Sequence, residues 1–458
     1  MVAPIRVVVI GGGAAGFFGA IACANAHPHA EVTLLEAGYQ PLAKVRISGG
    51  GRCNVTHACF DAAQLVQYYP RGGKALRGAL TKFQPKDTVA WFESHGVELK
   101  TEADGRMFPV TDNSETIVNC LVNAAQDAGV RVFTGTPVKS VRRHDTLSPN
   151  SSPMQGEGSM KEVTLSPMQG EGSMKEVTLS PNPSPMQGEG SLRNYEFEVE
   201  LKTGEVIECD RLLIATGSNP QAYRWLKDLG HTLESTVPSL FTFNLPDPRL
   251  QDLAGVSVNN ARVKLPDAGK HLSEQTGPLL ITHWGLSGPA VLKLSAWGAR
   301  FLHEHQYQTP LIINWLPQYT EESLRNTLLA VKSQLPRRQV TTSCPLAVPK
   351  RLWLSLATSV GISNEVRWAE VSKKALNGLV QELIQGRYFI KGKGVFKEEF
   401  VTCGGVRLKE VDFKTMQSRL VPHLYFAGEI LDIDGVTGGF NFQSAWTTAW
   451  LAGQAMGL

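Results

Sequence analysis

The 458 residues carry 45 Lys and Arg against 42 Asp and Glu, a formal net charge of +3, and 42% of them are hydrophobic. That length holds two or three domains with a large core, and the near balance of charge by itself calls for neither nucleic acid nor a membrane surface. No apolar run is long enough to span a bilayer, and the seven cysteines are scattered without a C-x-x-C, which argues against a disulfide framework and a zinc site. The histidine pairs His27/His29 and His303/His305 read as surface residues rather than ligands, so no metal site is expected. Residues 1–4 run straight into a strand-like segment with no basic leader and apolar stretch, which predicts a cytoplasmic protein.

Residues 5–10, Ile-Arg-Val-Val-Val-Ile, read as a buried parallel strand, and residues 17–26 as an apolar, small-residue helix. Between them Gly11, Gly13 and Gly16, with Ala14 and Ala15, have the G-x-G-x-x-G form. Glu36 ends a second strand-like run, Val32-Thr33-Leu34-Leu35. Glycines at that spacing permit a tight turn and a close backbone approach to a pyrophosphate. The helix N-terminus faces the anion, and the acidic residue accepts from a ribose. The stretch from Lys44 through Ser48, Gly49, Gly50, Gly51, Arg52, Cys53 and Asn54 to His57 is too rich in glycine and polar groups for a core segment. It reads as a loop whose bare backbone can meet a flat ligand.

Helical spacing is expected over 86–95 and 115–128, the second capped by Asn113 or Ser114, with short strands at 130–133 and 137–141. Residues 146–159 then recur almost unchanged at 178–191, with a further Ser-Pro-Met-Gln-Gly-Glu-Gly-Ser copy from Ser166. A tract so rich in Ser, Pro and Gly buries too little surface to order itself. It is expected to be an inserted repeat over 145–192, dispensable for cofactor binding. Its flanks, 137–141, 195–201 and 206–209, read as a β-meander, which returns to a buried strand at 211–214 followed by Ala215-Thr216-Gly217.

Residues 239–245, 256–265, 279–282 and 311–315 look like antiparallel strands. His283 lies in a turn that feeds a helix, and helical patterns follow at 321–334, 349–359 and 368–385. A strand at 400–406 and another at 424–426 precede Gly428 and Glu429. Gly438, Gly439, Phe440 and Asn441 then open a final helix over 444–456. Together these predict an α/β, Rossmann-like nucleotide-binding domain in two parts, 1–235 and 395–458, around an inserted β-barrel and helical subdomain at 236–394.

Four stretches carry a narrower likeness: residues 48–54, 282–290, 401–406 and 428–443. They resemble the bacterial BaiN-like, or aminoacetone-oxidase-like, FAD-dependent oxidoreductases. Phe440, Gln417 and Ser444 depart from the residues usual in that family. The resemblance implies FAD, with Gly11, Gly13 and Gly16 at the pyrophosphate, Glu36 at the ribose, Val138 offering its backbone to adenine and Glu429 at the ribityl chain. It implies that residues 49–54 and 438–441 flank the isoalloxazine. Lys44, Ser48, Thr216, Gly217, Gly428 and Asp432 fall in the same motifs.

A flavin needs the rest of the protein to tune it and to manage protons. Cys53, His57 and His283 are the candidate proton donors. No second G-x-G-x-x-G occurs in 217–400, so NAD(P)H is expected as a transient electron donor without a domain of its own. The resemblance implies reduction of a C=C bond, in a steroid-like enone or in uridine of ribosomal RNA. Two alternatives are an oxygen-using amine oxidase and an RNA-binding flavoprotein without turnover. For RNA, Lys391, Lys393, Lys397, Arg337, Arg338, Lys350 and Arg351 offer a basic face on the inserted region.

Overall fold

A computed structural model describes residues 3–144, 195–269, 274–394 and 401–458. The repeat expected at 145–192, and Lys397, lie outside the described residues. Strand Arg6–Ile10 sits in the middle of a seven-stranded sheet, between Glu31–Leu35 and Arg211–Ile214. Arg131–Phe133 and Leu424–Phe426 continue it on either side in parallel, and Val411–Asp412 and Gln417–Ser418 add an antiparallel edge. Val7, Val9, Leu34, Leu212 and Leu213 are fully buried, as expected for strands covered on both faces.

One cover is a pair of helices, Ala14–Ala26 and Phe440–Met456, the first and last of the chain. They approach closely because glycines face each other. A Cβ on Gly453 would lie 2.6 Å from the Cβ of Ala22 and 2.8 Å from the Gly19 carbonyl. The final helix begins at Phe440, earlier than the expected Ser444, because Gly439 (φ +90°) turns the chain directly into it. A separate three-stranded antiparallel meander is made of Val138–Arg143, Phe197–Leu201 and Val206–Cys209. Helix Ser114–Asp127 is capped by the Asn113 side chain, which accepts from Glu115 N–H at 3.0 Å.

The chain leaves through Leu233–Ser239 and returns through Val401–Val406, and these two strands pair antiparallel. The run expected as one strand at 239–245 is broken at Leu240, whose φ of +59° ends this ribbon before Phe243–Asn244 opens the next sheet. That sheet has seven strands in the order Gly386–Ile390, Thr309–Asn314, Ser257–Lys264, Glu274–Ile281, Gly285–Ser287, Phe243–Asn244 and Gly392–Lys393. Its two outer strands are consecutive in the chain, joined at Lys391, whose N–H donates to the Asn244 carbonyl at 2.9 Å. The sheet therefore closes on itself as a barrel. Helices Glu321–Gln334, Lys350–Ser359 and Lys373–Gln385 share its buried core, which includes Trp315, Trp353 and Trp368. No helix among the described residues is long and apolar enough to cross a membrane.

Candidate nucleotide and flavin site

Gly11 N–H donates to Leu35 O at 2.8 Å, which sets the turn off the strand end. With φ +111° it passes so near the neighbouring strand that a Cβ would lie 2.5 Å from Ala215 O. A Cβ on Gly16 would lie 1.8 Å from Gly11 O, so only glycine lets the helix start this close to the turn. Gly13 has open space instead. It precedes a helix with no side-chain cap and no acidic residue in its first turn, which leaves N–H groups for an anion. Both Glu36 oxygens are oriented by backbone: Oε2 accepts from Gly12 N–H at 2.6 Å and Oε1 from Gly38 N–H at 2.7 Å. Each oxygen keeps a lone pair for a ligand hydroxyl. The 133–138 segment runs alongside, with Glu36 N–H donating to Phe133 O and Thr136 N–H donating to Glu36 O, both at 2.8 Å, two residues before Val138.

Helix Ala43–Gly51 is interrupted at Ser48, Gly49 and Gly50, so the expected loop lies inside it. A Cβ on Gly49 would lie 2.9 Å from the Phe108 ring, whereas Gly50 and Gly51 (φ +70° and +84°) face open space. The two halves of the chain meet here. Gly428 (φ +74°) lies against Ala15, 2.8 Å from where a Cβ would go. Glu429 sits beside Gly217, its Oε1 accepting from Thr402 N–H at 2.8 Å and its Oε2 pairing with Lys44 at 2.5 Å. Thr216 Oγ1 is buried with no hydrogen-bond partner among the described residues.

The start of the last helix is held from several sides. Asn54 accepts from Gly439 N–H at 2.9 Å through its side-chain oxygen and donates to Thr56 O at 3.0 Å. His57 Nδ1 donates to Gly438 O at 3.0 Å, and Tyr69 donates its hydroxyl hydrogen to Phe440 O at 2.7 Å. His57 also packs on the Phe440 ring at 4.6 Å, with Tyr68 stacked on that ring at 4.4 Å. Burial holds the His57 imidazole below its ordinary value, against the opposing effect of the Gly438 hydrogen bond.

Several candidate residues have side chains committed to other partners. Cys53 is fully buried in the core, and burial pushes its thiol up to about 12. A buried thiol held that far up gives its proton poorly. Arg52 turns away to Glu102 at 2.6 Å and Asp112 at 3.4 Å, over the Phe108 ring at 4.0 Å. Asn441 clasps its own loop: Gly435 N–H donates to its Oδ1 at 2.8 Å, and its Nδ2 donates to Gly435 O at 2.9 Å. Both ends of its amide are held by the Gly435 peptide groups. Asp432 points to Arg300 at 3.3 Å in the inserted region. His283 is exposed at the turn between Glu274–Ile281 and Gly285–Ser287, and no contact among the described residues ties it to the glycine-rich segments.

Sequence reasoning missed Tyr68, Arg71 and Asp434. Arg71 pairs with the fully buried Asp434 through two nitrogens and donates to Ala296 O at 2.8 Å. Ser239 donates to the same carboxylate at 2.8 Å. These residues lie far apart in the chain, and nothing in their local sequence marks the pairing.

The open backbone at Gly13, Gly50 and Gly51, the uncapped helix start, the oriented Glu36 and the unpartnered Thr216 hydroxyl fit a bound flavin dinucleotide. Comparison with known proteins agrees. The descriptions "HI0933-like protein Rossmann domain" and "HI0933-like protein barrel and H2TH domain" match residues 5–166 and 237–401. The ribosomal RNA dihydrouridine synthase of Escherichia coli is 28% identical over 98% of this chain and 96% of its own length. The 3-dehydro-bile acid delta(4,6)-reductase of Clostridium scindens is 26% identical over 98% of both chains. Among solved structures, a 3-ketosteroid-delta4-(5alpha)-dehydrogenase from Rhodococcus jostii aligns over 99% of this chain and 97% of that one, at 15% identity and a TM-score of 0.46. The chain belongs to the HI0933-like family of FAD-binding oxidoreductases.

Proposed function

We propose that this protein is a reductase of a C=C bond conjugated to a carbonyl, that its substrate is uridine in ribosomal RNA, and that NAD(P)H is its electron source. The observation that carries the reading is the pairing of the two glycine-rich helix starts with relatives named for two such reductions. The C5=C6 bond of uridine and the Δ4 bond of a 3-oxo steroid share one chemistry: hydride goes to the β carbon and a proton to the α carbon. Bound FAD supplies the hydride. Gly11, Gly13 and Gly16 hold the pyrophosphate, Glu36 the adenosine ribose and Val138 the adenine edge. Glu429, with Lys44, Thr216 and Gly217, takes the ribityl and phosphate region. Gly49, Gly50, Gly51, Gly438 and Gly439 give the isoalloxazine its backbone walls.

His57 is the proton donor in this reading. Its Nδ1–H is committed to Gly438 O, which leaves Nε2 as the nitrogen that gains and gives the proton. Burial makes the imidazolium a stronger acid than usual, which favours transfer to carbon. The test is mass spectrometry of ribosomal RNA nucleosides from a deletion strain, with and without the gene restored. Loss of one dihydrouridine that returns with the gene supports the reading. Unchanged dihydrouridine overturns it.

A further inference from the structure

The barrel strand Gly386–Ile390 has two faces of opposite character. Tyr388 and Ile390 point into the core, while Arg387 and Phe389 are exposed, and Lys391 follows in the same alternation. Phe389 leaves 45% of its surface in water. Register places further positive charge beside it. Lys264 pairs with Ile312, and Ile312 pairs with Arg387, so these three form one row across the outer face. Arg262 stands one row away on the same face. Among the described residues, the only acidic one directly paired into these rows is Glu274, opposite Lys264 at the far strand.

The strand is also rigid from behind. Arg249 lies over the Tyr388 ring at 3.8 Å, pairs with Asp247 and Glu382, and donates to the Arg387 carbonyl at 2.5 Å. The Arg387 and Lys391 side chains have no hydrogen bond or ion pair among the described residues. An exposed ring flanked at two-residue intervals by cations, on a stiff sheet, is what an unpaired nucleic-acid strand needs. A base stacks on the ring, and phosphates on either side meet the charges. Duplex RNA offers no free base faces to such a ring.

We propose that the outer face of Gly386–Ile390 is a single-stranded RNA platform, with Phe389 stacking one base and Arg387 and Lys391 holding phosphates on its two sides. This rests on the ribosomal RNA reading above and names the surface through which such a substrate is held.

The test uses the flavin-loaded full chain without NAD(P)H, a fluorescent single-stranded RNA and the same sequence as a duplex, titrated at several salt concentrations. Single strands should bind more tightly than the duplex. Phe389→Ala should weaken single-strand binding about ten-fold and leave the salt slope unchanged. Arg387→Gln with Lys391→Gln should lower the slope of log affinity against log salt by about 1.4, at ~0.7 per phosphate. Arg337→Gln with Arg338→Gln, on the helical side of the inserted region, should change neither. Flavin absorbance of each variant checks that it is folded. Wild-type affinity in Phe389→Ala, or a loss of binding in the Arg337/Arg338 pair alone, overturns the platform. Because binding is read without turnover, RNA bound at this face with no dihydrouridine formed overturns the proposed reaction and leaves the platform standing. Dihydrouridine formed with Phe389 and both cations replaced at no cost overturns the platform alone.

Discussion

The two glycine-rich helix starts do the same geometric job by different means. At Gly13–Ala14 the turn is local: Gly11 and Gly16 make the approach possible, and the flanking strands Arg6–Ile10 and Glu31–Leu35 hold the ends. At Gly439–Phe440 the turn is assembled from a distance, by Asn54, His57, Tyr69 and, one loop back, the Arg71–Asp434 pair. The first is dictated by backbone sterics, Gly16 against Gly11 and Gly11 against Ala215. The second depends on side chains delivered by other elements, so it is the half that substitutions elsewhere can loosen.

The largest effect should come from the local half. Gly16→Ala forces a Cβ into the Gly11 carbonyl, where neither atom is flexible. More than ~3 kcal/mol is expected, because both groups are backbone. The variant should purify without flavin or fail to fold, read by flavin absorbance per protein and by circular dichroism. If it keeps flavin, the turn is not the tight element described.

The assembled half should break next at its buried ion pair. Asp434→Ala leaves the Arg71 guanidinium buried and unpaired, at a cost of roughly 3–5 kcal/mol in thermal or denaturant unfolding. Arg71→Met with Asp434→Leu should recover much of that loss. Failure of the double variant to recover would mean that the pair serves the site more than the fold.

His57→Ala should lower turnover by roughly 100-fold or more while flavin stays bound. The sign of its pH dependence follows from the protonated form being the active one. In the wild type, kcat/KM should fall as pH rises through the His57 pKa, and burial places that fall below about pH 6.5. A rate that rises over that range would remove His57 as the donor.

Asn54→Ala removes one hydrogen bond to Gly439 N–H and should cost ~1–3 kcal/mol, with weaker flavin retention. The smallest change is expected at Lys44→Ala. Lys44 is half exposed, and its pair with Glu429 should be worth less than ~1 kcal/mol, lost further in high salt. If Lys44→Ala instead released flavin as readily as Asn54→Ala, the half-site at Glu429 would depend on charge rather than on its backbone contact with Thr402.

The sequence by itself determined the strand, glycine turn, helix and acidic residue of the first half-site. It also determined the meander around the repeat, a helix cap at Asn113 or Ser114 and most barrel strands and helices. These depend on apolar period, on caps and on where a Cβ cannot fit, all of which act over a few residues. It also marked Gly428–Glu429 and Gly438–Gly439 as a second half, through glycines in the same kind of setting.

Tertiary structure decided where side chains point. Cys53, Arg52, Asn441 and Asp432 sit in the right stretches, yet each is turned elsewhere: into the core, to Glu102, to Gly435 and to Arg300. Arg71, Asp434 and Tyr68 carry no local pattern and matter only because the chain brings 68–71 alongside 434–436, where Val436 N–H donates to Tyr68 O at 2.8 Å. The break at Leu240 has the same origin, since one residue must leave the ribbon shared with Val401–Val406 and enter the barrel. Backbone form follows from neighbours in sequence, whereas side-chain partners follow from neighbours in space, and those exist only once the two halves of the chain have closed on each other.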